Sequence, residues 1–335
     1  MDSADTILQF HLDEFRAGRS VDTDQVPALF DALIGSEDKE LLAGVLTAWN
    51  EKGSTEDELF ELASLMRSRM KRIDPGLGTF VDVVGTGGSG SKTFNVSTAA
   101  AFVIAGSGLP VAKHGNRAAT SSSGSADALD ELGIGLDMEP ADAERHLNEI
   151  GICFMFAPRY HSLSQHLANA RRSVGKPTIF NNLGPLCNPA SAPHQVIGVW
   201  DEDLVGKTAN VLARLGTKRS WVVHGENRLD EIALTGTTQV AEIRIGRVNE
   251  FSISASDLGV AGVKGTIPSN CTAKESAALI EEMLNNRRVG DAAETIVLIN
   301  AAAAIYVAGH ASDLPEAFRI AEESVRSGRA LEKLT

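Results

Sequence analysis

Only three cysteines occur in this 335-residue chain, Cys153, Cys187 and Cys271, widely spaced and without a CxxC pair. Such a set excludes a disulfide framework and fits reduced thiols in a cytoplasmic protein. No apolar run is long and uninterrupted enough to span a bilayer, so no membrane partner is expected. The first residues, MDSADTILQFHLDEF, are acidic and amphipathic and read as neither a signal nor a transit peptide. Basic residues are outnumbered, 31 against 44 acidic, for a net charge of −13. That balance argues against nucleic acid as a partner. The most telling absence is local. From Val83 to Ala126 there is no Asp or Glu, although acids are plentiful elsewhere. The stretch holds Gly, Ser, Thr and Asn with Lys92, Lys113 and Arg117. Backbone amides, hydroxyls and fixed cations without acids suit a small polyanion such as a phosphorylated metabolite.

The first seventy or so residues read as helices alone. Leu59, Leu62, Ala63 and Met66 form one apolar stripe at helical spacing. Thr55 and Glu58 make a capping box, Gly53 suits the end of the preceding helix, Pro27 a first turn, and Ser36-Glu37-Asp38 another helix start. After Pro75 the texture alternates. Strands are expected at Thr79–Gly85, Pro110–Gly115, Ile152–Phe156, Val196–Trp200, Ser220–His224 and Val240–Ile245. Helices are expected at Ser97–Ala105, Gly124–Leu132, Leu204–Leu215 and Ala273–Leu284. This pattern predicts an α/β fold, a small all-helical domain beside a larger α/β domain with a mostly parallel central sheet. The helical domain is expected over 1–74, completed by about 162–189, where a helix and the passage NNLGPLCNP interrupt the alternation. The α/β domain then takes 75–161 and 190–335.

Gly85-Thr86-Gly87-Gly88-Ser89-Gly90 matches G-x-G-x-x-G after a strand. A dinucleotide site also needs an acidic residue about 20 positions on to hold the ribose, and here that region reads AFVIAGSGLP. An ATP phosphate loop is also excluded, because one residue too many precedes Lys92. What remains is a glycine loop whose backbone approaches a phosphate, with Thr93, Asn95, Ser97 and Thr98 as further donors. A tight turn alone explains one or two glycines, not four in an acid-free context. Lys113-His114-Gly115-Asn116-Arg117 follows the second strand, at the sheet end where open α/β folds place ligands. Asp230-Glu231 follows a later strand; beside a polyphosphate, two adjacent carboxylates suit Mg²⁺. Of Arg171 and Arg172, one covers a helix surface and the other is placed to grip a carboxylate.

With GTGG and TFNVST, KHGNR and SGSAD, FAPRYH, TIFNNLGPLCNP, LDEIALTG and NAAAAIYVAG in this order, the chain resembles the anthranilate phosphoribosyltransferases. The resemblance implies a nucleoside phosphorylase/phosphoribosyltransferase-like fold with the site at the hinge of two domains. It also implies a homodimer through the helical domain, and transfer of phosphoribosyl from phosphoribosyl pyrophosphate (PRPP) to anthranilate in tryptophan biosynthesis. By the same resemblance, Gly85, Gly88, Ser89, Thr93, Asn95, Val96, Ser97 and Thr98 surround PRPP, as do Lys113, His114, Gly115, Asn116, Arg117, Ala118, Ala119, Thr120, Ser121 and Ser125. Gly85, Asn116 and Arg171 receive anthranilate; Asn116, Arg171 and Lys113 carry catalysis. Ser97, Asp230 and Glu231 hold Mg²⁺, as two ions. The chain departs from the family pattern at Ser89, Ser122, Ser162 to Gln165, and Pro177, which cluster near the loop and the acceptor entrance. A pyrimidine nucleoside phosphorylase-like enzyme shares the glycine loop but does not require the acid pair. A phosphoribosyltransferase with another acceptor is the further alternative. A non-catalytic relative that binds nucleic acid should be basic and lack the pair.

Overall fold

The computed structural model of the chain describes residues 3–88, 93–118 and 123–334. Four helices come first: α1 (Ala4–Arg16), α2 (Val26–Gly35), α3 (Lys39–Lys52) and α4 (Glu56–Arg69). The Thr55/Glu58 capping box opens α4, and Leu59, Leu62, Ala63 and Met66 are its buried stripe. Gly53, at φ 80°, stops α3, and Pro27 lies in the first turn of α2. The helix start expected at Ser36 is displaced by two residues. Asp38 caps α3, its carboxylate accepting from the Glu40 and Leu41 amides. Ser36 closes α2 instead, and its hydroxyl donates to Asp5. A carboxylate satisfies two orphan helix amides better than one hydroxyl does.

The alternation that follows is β1 (Val81–Gly85), α5 (Val96–Gly106), β2 (Val111–Gly115), α6 (Ser125–Glu131), α7 (Pro140–Glu149) and β3 (Ile152–Phe156). Next come α8 (Ala157–Tyr160), α9 (Gln165–Val174) and α10 (Ile179–Leu186). The chain then gives β4 (His194–Gly198), α11 (Leu204–Arg214), β5 (Arg219–Gly225), β6 (Thr238–Arg244) and β7 (Arg247–Ile253). It ends with α12 (Ala273–Leu284), α13 (Ala292–Val307) and α14 (Leu314–Arg326). Among the described residues one sheet runs in the order β3-β2-β1-β4-β5-β6-β7. Its first five strands are parallel, and β6 and β7 are antiparallel.

Sequence patterning shifted or missed several of these features, α7 and α14 among the missed. The strand expected over Val196–Trp200 begins two residues earlier, at His194, which pairs with Val81 of β1 and Arg219 of β5, and it ends at Gly198, level with Gly85. β7 pairs with β6 through a two-residue turn at Ile245 and Gly246, both at positive φ. Such a hairpin favours asparagine or glycine at both places, and the isoleucine hid it. α13 is buried on every side, so it carries no amphipathic stripe to recognise. The two sheet faces serve different layers. Val83, Val196, Trp221 and Val223 belong to the core shared with α5 and α13, whereas Ile197, Val222, Ala241 and Ile243 belong to the core shared with α11 and the first helices. In that second core α9 packs on α3, and α10 and α11 on α4.

Candidate active site

Strand β2 lies on one side of β1 and β4 on the other, so the chain reverses its direction of winding between β1 and β4. Open α/β sheets place ligands outside the carboxyl ends of strands at such a point. A cavity of 410 Å³ opens there.

Its floor is backbone. Gly85 and Gly198 face each other in register at the ends of β1 and β4, and Asp230 lies across both. A Cβ on Gly85 would stand 2.6 Å from Asp230 Oδ2, and one on Gly198 would overlap the Asp230 carbonyl oxygen. The Gly87 amide donates to Asp230 Oδ2 at 2.9 Å. Thr93 donates through Oγ1 to both carboxylate oxygens of Glu231, at 3.0 and 3.1 Å. Burial, reinforced by the neighbouring Asp230 charge, pushes the Glu231 carboxyl well above its usual range, and the Thr93 bond only partly opposes it. Two crowded carboxylates in such a place favour a cation. Among the described residues no cluster of three or more His, Cys, Asp or Glu completes a protein-only cage. The donor set instead fits Mg²⁺, which takes one or two carboxylates with substrate oxygens and water.

Opposite the acids, Lys113 reaches down from β2. Its ammonium donates to the Val83 carbonyl at 2.7 Å and to Ser97 Oγ at 3.3 Å. Burial pulls Lys113 down to about 8, and buried Asp82 counters this. Asp82 itself is pushed up to about 6 by burial, with Lys113 pulling back. The Asp82 carboxylate accepts from Asn188 Nδ2 at 2.7 Å and from the His114 amide at 3.3 Å. His114 is buried, its Nδ1 3.2 Å from the Gly184 carbonyl and its Nε2 3.2 Å from His161 Nε2. A carbonyl only accepts, so Nδ1 carries the proton and Nε2 is the acceptor. Burial, with His161 next in effect, holds His114 well below the usual histidine range, and burial brings His161 to about 4. This neutral pair ties β2 to the α8–α10 segment; His114 is already engaged at both nitrogens.

The remaining wall comes from α9 and α10. Arg171 lies 5.2 Å from the Phe180 ring, and its Nε has no acceptor among the described residues. Burial, with the Arg172 charge adding, pulls Arg171 down to about 10. Arg172 lines the cavity too, its Nη1 donating to Asn169. Ser164 caps α9 by accepting from the Leu167 amide, and Gln165 donates to Asn169. Pro177 packs directly on Gly88, which sits at φ 78°, leaving no room there for a Cβ. From α10, Asn181 donates to the Thr86 carbonyl at 3.1 Å.

Most residues expected at a site therefore share this cavity: Gly85, Gly88, Thr93, Asn95, Val96, Ser97, Lys113 to Ala118, Ser125, Arg171, Asp230 and Glu231. Thr98 does not line it; the residue is buried in the first turn of α5 and its hydroxyl finds no partner among the described residues. Ser89, Ala119, Thr120 and Ser121, with Ser122, lie outside the described residues. Arg117 turns its guanidinium to Asp127 at 2.9 Å and Asp130 at 2.6 Å on α6. Asn95 spends its side chain on Ser123 and Ser276. The lining also includes Met66, His161, Leu163, Pro185, Gly198 and Asn300, which residue patterns alone did not single out. The collinear segments FAPRYH, TIFNNLGPLCNP and NAAAAIYVAG contain His161, Pro185 and Asn300 and were the available signal.

Residues 77–331 match the family described as glycosyl transferase family, a/b domain. An anthranilate phosphoribosyltransferase from Myxococcus xanthus is 42% identical, over 95% of this chain and 94% of its own. The crystal structure of the anthranilate phosphoribosyltransferase of Thermus thermophilus superposes with a TM-score of 0.84 at 34% identity, covering 97% of both chains. That of Saccharomyces cerevisiae, in complex with PRPP and Mg, gives 0.85 at 26% identity over 98% of this chain and 95% of its own.

Proposed function

Because the chain belongs to the anthranilate phosphoribosyltransferase family, we infer that it transfers phosphoribosyl from PRPP to the anthranilate amine. The products are N-(5-phosphoribosyl)anthranilate and pyrophosphate, in tryptophan biosynthesis. The observation that carries this is the presence, in one cavity, of the Asp230-Glu231 acids beside backbone amides and of a half-buried arginine on the α9 wall whose Nε has no acceptor among the described residues. A nucleoside phosphorylase would not require that acid pair.

The bond from C1 of the ribose to pyrophosphate breaks as the amine nitrogen bonds to C1, leaving oxocarbenium character at C1 in between. Gly85, Gly88, Thr93, Asn95, Val96 and Ser97 surround PRPP, and Lys113 to Ala118 with Ser125 extend that cradle. Ser89, Thr98, Ala119, Thr120 and Ser121 are assigned to the same cradle by family resemblance. Lys113 places a positive charge where the leaving group gathers negative charge. Ser97, Asp230 and Glu231 would hold Mg²⁺, as two ions, which neutralises pyrophosphate as it departs. Arg171 grips the anthranilate carboxylate, and Asn116 and Gly85 seat the ring and amine near C1, so that positioning supplies much of the rate. An aromatic amine can shed its proton after attack, which leaves no task for a strong base.

We place the helical domain at 1–74 with 162–189, supported by the packing of α9 on α3 and α10 on α4. Phe10 on α1, half exposed, supports a homodimer through this domain. No described helix is long and apolar enough to cross a membrane, in keeping with a cytoplasmic enzyme. Loss of anthranilate fluorescence on mixing protein, PRPP and Mg²⁺ tests the reaction. Decay that needs all three supports it; no decay, with PRPP still binding in a Mg²⁺-dependent way, means another acceptor.

A further inference from the structure

Helix α13 runs from Ile296 to Ile305 through side chains that are all apolar and buried, except Asn300. An amide in such surroundings is costly unless its hydrogen bonds are made. Here they are made, two of them to one residue. Asn300 Oδ1 accepts from the Ile232 amide at 2.9 Å, and Nδ2 donates to the Ile232 carbonyl at 3.3 Å. The same Nδ2 donates to the Ile296 carbonyl at 2.8 Å, which fixes the carboxamide on its own helix. The side chain thus holds both backbone groups of the residue that follows Glu231, much as a neighbouring strand would, and it does so at the cavity wall.

The Asp230-Glu231 segment needs such a hold. It lies beyond the end of β5 and outside the regular ladder. On its cavity side it has the Gly87 amide at Asp230 and the Thr93 hydroxyl at Glu231. Those contacts orient the carboxylates but do not anchor the backbone that carries them. Leu229 pairs with Gly225 and the Ala233 amide donates to Thr238 at the two ends of this segment; between them Asn300 holds Ile232, out of a buried helix. A leucine at position 300 would fill similar volume in the core without holding Ile232. We propose that Asn300 is a positioning residue for the divalent cation. It clamps Ile232 so that the Glu231 and Asp230 oxygens keep the spacing a Mg²⁺-sized ion requires. The proposal rests on reading that acid pair as metal ligands.

The test is direct Mn²⁺ binding, by loss of the free-ion electron paramagnetic resonance signal, with pyrophosphate present. It compares wild type, Asn300→Leu and Asn300→Ser, with circular dichroism to check the fold. Loss of an outer partner of a metal ligand typically weakens the metal by about 10- to 100-fold, and that is the weakening expected for N300L in a folded protein. N300S, which keeps one polar group, should fall between. The acceptor KM at saturating metal should change less than about twofold, because Arg171 is untouched. Mn²⁺ affinity within about twofold of wild type, whatever the loss of thermal stability, would show Asn300 to be a packing residue and overturn the proposal. If neither variant folds, amide exchange at Ile232 in the wild type decides. Exchange only on global unfolding supports the clamp, and exchange as fast as that of exposed loop amides overturns it. Wild type that binds no Mn²⁺ while the Ile232 amide is protected would sink the metal reading of the acid pair, and with it this role.

Discussion

Two walls of the cavity are built on different principles. The wall below β1 and β4 is glycine backbone and buried groups locked to backbone: Gly85 and Gly198 under Asp230, Lys113 on the Val83 carbonyl, Asp82 on the His114 amide. The wall from α9 and α10 is helix side chains, with Arg171 held against Phe180 and Arg172 exposed. A charge stabiliser gains from being fixed in advance, since no reorganisation is then needed as the leaving group departs. An acceptor subsite can be made of side chains that exchange without moving the sheet. Substitutions on the first wall should therefore damage the chemistry, and substitutions on the second should change which acceptor is taken or how tightly.

The strongest way to break that contrast is a methyl group. Gly198→Ala would press its Cβ on the Asp230 carbonyl, so the acid pair must shift. Because a 1 Å misplacement can cost about a hundredfold, kcat/KM should drop by at least that much while the protein still folds. Gly175, which closes α9 behind the second wall, has φ 65° and open space around it, so Gly175→Ala should cost about 1 kcal/mol of stability and little turnover. Equal effects in the two variants, measured by steady-state kinetics and denaturant melts, would erase the distinction.

Arg171→Ala comes next. A hydrogen-bonded charge is worth roughly 1.5–3 kcal/mol, so the anthranilate KM should rise on the order of 10- to 100-fold while the PRPP KM stays within about twofold. Arg171→Lys keeps the charge but not the fork, and should recover only part of the loss. Parallel rises in both KM values would instead make Arg171 a support for the whole cavity.

The same contrast governs how much was legible in the sequence. The acid-free stretch and glycines of the first wall stood out in the sequence, because a backbone open to close approach by an anion leaves a compositional trace. Gly198 left none. It follows an unremarkable QVI, and its need for hydrogen at Cα appears only when Asp230 is seen folded back across β4. Asp82 and Asn188 are 106 positions apart, so their contact could not be read from spacing. The second wall was legible only in part: the Arg171-Arg172 pair stood out from the residues and Arg171 itself through resemblance, but Met66 of α4 also lines the cavity and was read only as part of an apolar stripe. Arg117, read as a phosphate ligand from its place in KHGNR, lines the cavity while its guanidinium pairs with Asp127 and Asp130 of α6, a pairing across 10 and 13 positions that the motif did not reveal.

Between the walls the His114–His161 pair makes a prediction about stability and pH. His161 has its folded value brought down to about 4 from the ordinary 6.5. The unfolded chain therefore takes up a proton between these values that the folded chain refuses. Stability is full above pH 6.5 and is lost as pH falls toward 4, by about 3 kcal/mol at most. His161→Gln should flatten that limb in melts across this range, with an offset from lost packing. An unchanged slope would mean the limb belongs to other groups.

The smallest expected effect is at Arg117, and it tests whether the first wall is formed before substrate arrives. Its guanidinium pairs with Asp127 and Asp130 at a half-exposed position, where ion pairs contribute about 1 kcal/mol or less. Its backbone amide bonds to its neighbour Asn116 through Oδ1 at 2.7 Å, a contact any residue at 117 can keep. If the loop needs only that backbone, Arg117→Gln should leave the PRPP KM within about threefold and stability within about 1 kcal/mol. A rise in PRPP KM well beyond tenfold, with the anthranilate KM unchanged, would mean that the guanidinium leaves its carboxylates for a phosphate. That wall would then be completed by substrate, and the difference between the two sides of the cavity would be one of degree.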